Sequence, residues 1–241
     1  MSLMDSFVAW KQRREYQSNI ERSKATAAYI YLISDSIDKH AERVKHPLHD
    51  SRLAEFKTEV SKWTKTEVNI NFGDSLTDLS RKQIQRVHDG VFSISGSWAN
   101  HMEEMAIDMK ESLSRFKIKN ISIGCLGGNP MLVYQNYDEV LKDSIKCLNK
   151  VRDLYPDSRI IVYGLPPVYA VHVTENTYKF DWNLYNWCIN DKDARFISLK
   201  NTFGSGMSKL FPSFGWSSDG VHFNPRGGAR FAGLIEGNMR G

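Results

Sequence analysis

From about Glu67 onward the chain sets short, β-rich apolar runs against longer segments of mixed polarity. The runs are VNINF (68–72), VFSIS (91–95), ISIGC (121–125), RIIVYG (159–164) and FISL (196–199). Runs of this length, rich in valine, isoleucine and phenylalanine, predict strands. Helix-length segments between them predict crossover connections, and so a parallel sheet with helices on both faces: an α/β fold. The Gly/Pro-rich stretches near 127–130, 164–167 and 204–206 fall where loops are expected.

Residues 1–65 read differently, as a charge-rich helical extension to an α/β domain spanning 66–241. An apolar line at Thr26, Ile30, Ile33 and Ile37 is followed by a break at Pro47. A second helix is expected after it. Asp50 and Ser51 are good N-cap types, and Leu53, Phe56, Val60 and Trp63 recur at three- and four-residue steps, which places them on one stripe. The stripe needs a partner surface: the first helix, the α/β domain or another copy of the chain, so self-association through the N-terminal helices is an open expectation.

Composition narrows the function classes. Thirty-two basic residues against 28 acidic ones leave a formal charge of +4, spread in both signs along the chain, a field too weak to predict a nucleic-acid partner. No apolar run approaches the length of a transmembrane span, and the first residues break into charge before a secretory apolar region forms, so the expected compartment is the cytoplasm. Cys125, Cys147 and Cys188 are an odd, widely spaced set, expected to be buried small apolar residues rather than disulfides or metal ligands; no metal or cofactor is expected.

Gly73-Asp74-Ser75-Leu76 lies directly after the first expected strand, which puts Ser75 at the carboxyl edge of the sheet, where open α/β sheets bind ligands. A nucleophilic serine needs a base. Asp219 stands three residues before His222, a spacing that lets a turn bring the carboxylate to Nδ1 while Nε2 faces outward. His40, His46 and His49 fall in the charged extension and are expected as solvated surface groups, whereas His88, His101 and His172 lack an equally placed acid and are expected to be structural or peripheral. Ser95-Gly96-Ser97 and Gly127-Gly128-Asn129 follow the second and third strands. A glycine N–H can approach a substrate closely, and an asparagine amide donates to an oxyanion without becoming charged.

Taken as a set and in this order, GDSL at Ser75, Gly96, the GxN of Gly127 to Asn129 and the DxxH of Asp219 to His222 resemble the four blocks of the SGNH/GDSL hydrolase family. The resemblance covers about residues 66–241. It implies a flavodoxin-like three-layer α/β/α fold with a five-stranded parallel sheet, preceded here by the helical extension. It also implies Ser75 as nucleophile, His222 and Asp219 as the rest of a triad, and oxyanion donors from Ser75 N–H, Gly96 N–H and the Asn129 side chain. Two features depart from the family pattern: Pro130 follows Asn129 where an acid is common, and the nucleophile lies far from the N-terminus.

The expected activity is that of a serine esterase working through an acyl-enzyme, on an O-acetyl or short-acyl ester of a carbohydrate. A lysophospholipase or acyl thioesterase, or a binding protein retaining the fold, are the alternatives. Tyr163, Tyr169, Tyr178, Trp182, Tyr185 and Trp187 crowd the region after the fourth strand, and Phe211, Phe214 and Trp216 precede Asp219. Tyr169, Trp182 and Trp216 are the candidate substrate contacts, and packing against the sheet is the competing role for every one of these aromatics.

Overall fold

The structure is a computed structural model and describes residues 45–74, 84–85, 88–94, 96–133, 137–166, 174–203 and 223–239. The Thr26–Ile37 line and His40 and His172 lie outside the described residues. All five apolar runs form strands: β1 (Glu67–Gly73), β2 (Gly90–Ser93), β3 (Lys117–Gly124), β4 (Arg159–Tyr163) and β5 (Ala194–Ile197). They pair in the order β2-β1-β3-β4-β5, every neighbour parallel, which is the flavodoxin-like order. The helices are α1 (His49–Ser61), α2 (Ala99–Ser112), α3 (Gly128–Val133), α4 (Tyr137–Leu154), α5 (Thr174–Ile189), α6 (Leu199–Phe203) and α7 (Pro225–Met239).

Alternation along the strands divides the core in two. On β4, Ile160 and Val162 join a cluster with Phe56 of α1, Met102 and Met105 of α2, Val140 of α4 and Phe180 of α5. Ile161 and Tyr163 point the other way, into a cluster with Leu199, Phe203, Phe231 and Ile235. The second face is polar beneath β1 and β3. Asn71 Nδ2 donates to Ser122 Oγ at 2.9 Å, and Asn120 Nδ2 to Asn69 Oδ1 at 2.7 Å. Buried His88 completes this network: its Nδ1 donates to Ile84 O at 3.3 Å, so Nε2 is left to accept from Ser122 Oγ at 2.7 Å.

The stripe on α1 finds its partner in the sheet and α2. Phe56 and Val60 are buried, Leu53 and Trp63 pack against the same core, and Phe56 stacks on Phe92 of β2 with ring centroids 5.5 Å apart. The helix begins earlier than its sequence suggests, with Leu48 at the N-cap and Asp50 and Ser51 inside the first turn. His46 takes over the capping: its carbonyl accepts His49 N–H at 2.8 Å and its Nδ1 accepts Leu48 N–H at 3.1 Å. Ser51 Oγ instead donates back to Leu48 O.

The expectation of solvated His46 and His49 is corrected, for both are buried. His49 Nε2 lies 2.7 Å from Asp108 Oδ2, and its ring meets Phe92 edge-on. The Asp108 carboxylate supplies the polar partner that a buried imidazole requires. Cys125, Cys147 and Cys188 are free and buried. No helix among the described residues is long and apolar enough to cross a membrane.

Candidate active site

In a sheet ordered 2-1-3-4-5, the connections leaving β1 and β3 run to opposite sides, which opens a crevice between their carboxyl ends. Register fixes what borders it: Gly73 is level with Ser93 of β2 and with Gly124 of β3. Gly73 has φ +123°, and a Cβ there would stand 2.6 Å from Gly124 O, so the two backbones meet only because position 73 has no side chain. Asp74 N–H donates to Gly124 O at 3.3 Å, and Ile94 N–H to Gly73 O at 3.1 Å. The end of β1 is thereby tied to both neighbours.

From that point Asp74 reaches across to the second block: Gly96 N–H donates to its Oδ1 at 3.1 Å. The loop after β3 turns through Cys125, whose φ of +52° is uncommon for a residue with a side chain, and Gly127 at φ +79°. Gly128 N–H closes the turn on Cys125 O at 2.9 Å, and α3 starts at once, with Asn129 in its first turn. A Cβ on Gly127 would lie 2.3 Å from Phe180 Cζ, so α5 packs directly onto this loop. The Cys125 thiol is no second nucleophile. Burial, then the nearby Asp74 and Asp181 carboxylates, raise its pKa well above the usual thiol range.

The loop after β4 is pinned by a buried pair. Leu165 N–H donates to Asp181 Oδ1 at 2.9 Å, while Lys200 Nζ contacts Asp181 Oδ2 and donates to Thr177 O at 2.9 Å. Burial pushes the Asp181 carboxyl up, and the Lys200 ammonium pulls it back. On the remaining side, Phe223 is buried between Phe203 and Phe231, and Asn224 caps α7 by accepting Gly227 N–H at 2.9 Å. Met239, at the far end of α7, borders a depression with Lys119, Asn120 and Arg159, at the amino-terminal side of the sheet. The start of α7, about 20 Å away along its axis, therefore stands at the carboxyl edge.

Of the residues that the sequence singles out, Gly96 and Asn129 lie at this edge, Asn129 through its backbone. Ser75, Asp219, His222, Tyr169 and Trp216 lie outside the described residues; Asp74 and Phe223, their chain neighbours on either side, are anchored as above. Trp182 is 62% exposed on the outer face of α5, its ring 5.5 Å from that of Tyr185, in line with exposed Tyr178. Tyr163 instead packs inside, against Phe231. Two participants have no motif of their own in the sequence: the Asp74 carboxylate, hidden within the GDSL block, and the Asp181–Lys200 pair.

No family model matches the sequence, and no curated protein matches it. Solved structures do. A GDSL-like lipase from Bacteroides thetaiotaomicron is similar at a TM-score of 0.57 and 14% identity, over 78% of this chain and 97% of that one. The Clostridium thermocellum family 3 carbohydrate esterase is similar at 0.53 and 14%, over 72% and 98%. The C-terminal catalytic domain of Streptococcus pneumoniae peptidoglycan O-acetyltransferase A is similar at 0.52 and 15%, over 73% and 93%. The chain thus has the three-layer α/β/α fold shared by GDSL-like lipases and carbohydrate esterases.

Proposed function

We propose that this chain is a serine hydrolase of carboxylic esters, with Ser75 as nucleophile, His222 as general base and Asp219 as its orienter. The observation that carries the reading is the convergence, at one switch point, of Gly73-Asp74, Gly96 and the Gly127–Asn129 turn, three of the four sequence blocks. The fourth block leads directly into the capped start of α7 at the same edge.

In the proposed reaction, Ser75 Oγ bonds to the acyl carbon as its proton passes to His222. The carbonyl oxygen becomes an oxyanion held by Ser75 N–H, Gly96 N–H and Asn129. The bond to the alcohol oxygen then breaks, with His222 returning the proton to the leaving alcohol; water repeats the sequence to release the acid. Preorganised donors of this kind contribute strongly, since loss of one typically costs ~10²–10³ in kcat. Gly96 N–H already rests on Asp74, so the oxyanion would share that donor as a second acceptor.

For the substrate we propose an O-acetyl or short-acyl ester on a carbohydrate. In support, two of the similar structures are named for a carbohydrate esterase and a peptidoglycan O-acetyltransferase, and Tyr178, Trp182 and Tyr185 present an exposed aromatic line on α5. The test is fluorophosphonate labelling of the intact protein, read by mass, alongside Ser75→Ala and His222→Ala. One adduct on the parent and none on either variant is expected; a folded parent that takes no label would sink the hydrolase reading. Turnover of acetyl-sugar esters against dodecanoyl esters then decides the acyl class, with preference for the longer chain overturning the proposed substrate.

A further inference from the structure

Three histidines that the proposed mechanism does not use are buried together beside the Gly96 loop. His46, His49 and His101 are 6%, 1% and 3% exposed. His46 stands edge-on to His101, with ring centroids 5.3 Å apart and planes at 85°. Trp98 N–H fixes His101 by donating to its Nδ1 at 3.1 Å, and Leu48 N–H fixes His46 in the same way at 3.1 Å. Each neutral ring therefore carries its proton on Nε2. Such rings present N–H groups and not lone pairs, which disfavours a metal, and among the described residues no group of three or more His, Cys, Asp or Glu is arranged to hold one.

The His46 Nε2 faces the loop: a Cβ built on Gly96 would stand 3.7 Å from it. Gly96 thus lies between the Asp74 carboxylate that takes its N–H and the His46 ring, which walls the space that a side chain would fill. The rest of the loop is held from the same region, with Ser97 Oγ donating to Ile94 O at 2.7 Å and Trp98 N–H bound to His101.

We infer that His46, which precedes the first strand, is a positioning residue for the Gly96 N–H, so that the segment before the α/β fold completes the oxyanion site. The inference rests on the reading of Gly96 as an oxyanion donor. A glycine has no side chain to fill the space beside it, and the His46 ring bounds that space from outside, which limits how far the Gly96 peptide can swing. Loss of a restraint close to the reacting atoms is felt in rate, because even ~1 Å of misplacement costs up to about 10².

The experiment uses the full chain carrying His46→Asn or His46→Ala. Asparagine Oδ1 can still accept Leu48 N–H, so the start of α1 is kept, but the shorter side chain leaves Gly96 unsupported. In His46→Asn, the Gly96 amide is expected to exchange its hydrogen about tenfold faster, and kcat on an acetyl ester to fall about tenfold with KM within about twofold. The unfolding midpoint should stay at the parental value. His46→Ala should show the same kinetic loss and lower stability as well. Parental Gly96 exchange and parental kcat in His46→Asn would overturn the inference, leaving His46 a capping residue only. A parent that takes no fluorophosphonate removes the hydrolase reading instead, and Gly96 exchange in His46→Asn still decides whether His46 holds the loop.

Discussion

At the scale of single residues, the edge depends on atoms the chain lacks as much as on those it has. Gly73 is the sharpest case, since any Cβ there meets the backbone oxygen of Gly124 at 2.6 Å, and φ +123° strains every residue with a side chain. Gly73→Ala should cost ~1–3 kcal/mol of stability through backbone strain and displace Asp74, checked by denaturant midpoint together with turnover. Asp74 acts differently. Asp74→Ala removes the acceptor of Gly96 N–H and should lower kcat by roughly tenfold through a looser donor, with the far-UV spectrum unchanged. Asp74→Asn retains Oδ1 and should recover most of that loss. Equal activity of Asp74→Ala and the parent would show that Gly96 needs no such anchor.

Among the elements, α1 shows how far sequence pattern reaches. Its stripe was legible because Leu53, Phe56, Val60 and Trp63 follow helical spacing, and spacing reports which residues share a face. What that face covers depends on tertiary packing, which spacing does not encode; here Phe56 stacks on Phe92 and Trp63 meets Phe116 edge-on at 5.4 Å. The five strands were legible for a related reason: β2 and β4 are near-continuous runs of apolar or small residues, while β1 and β3 alternate apolar residues with the Asn69, Asn71, Asn120 and Ser122 that pair on the polar face. The helix start was not legible, because an imidazole from His46 does the work usually given to aspartate or serine. The burial of His46 and His49 was missed likewise, since the groups that meet them, the His101 ring and the Asp108 carboxylate, lie more than fifty residues along the chain. Within the site, the glycines could be read from their motifs, whereas the bond from Gly96 to Asp74 exists only once two strand ends are brought level. Because α1 shares the core of the sheet, Phe56→Ala should destabilise the whole fold by about 3–5 kcal/mol. A single unfolding transition with a lower midpoint and unchanged slope is expected; a separate early transition would show α1 to be an independent unit.

On the scale of the whole molecule, buried imidazoles link stability to pH. Burial holds both His88 and His101 down to about 4, against an ordinary value of 6.5; the neighbouring His46 and His49 add to this for His101, whereas the Ile84 carbonyl and Asp89 partly oppose it for His88. Above pH 6.5 neither ring binds a proton in either state, and neither affects the slope. Between 6.5 and about 4 the unfolded chain takes up a proton at each site that the folded chain refuses, so stability falls as pH falls, by about 3 kcal/mol per histidine over the window. His46, lowered first by burial and then by His49, adds in the same direction. Asp181 works with the opposite sign. Its raised pKa lets the folded state keep a proton that the unfolded chain has released, so it favours the fold as pH falls and loses that contribution as pH rises through its folded value. The net expectation is a fold that weakens from pH 6.5 downward and levels off near 4. Urea midpoints at pH 7, 6, 5 and 4 should show an uptake near two protons on unfolding, and His88→Gln, which can keep a bond to Ser122, should reduce that uptake by about one. An unchanged slope in His88→Gln would mean that His88 is protonated in the fold, and that the Asn71–Ser122–His88 network tolerates a charge its burial argues against.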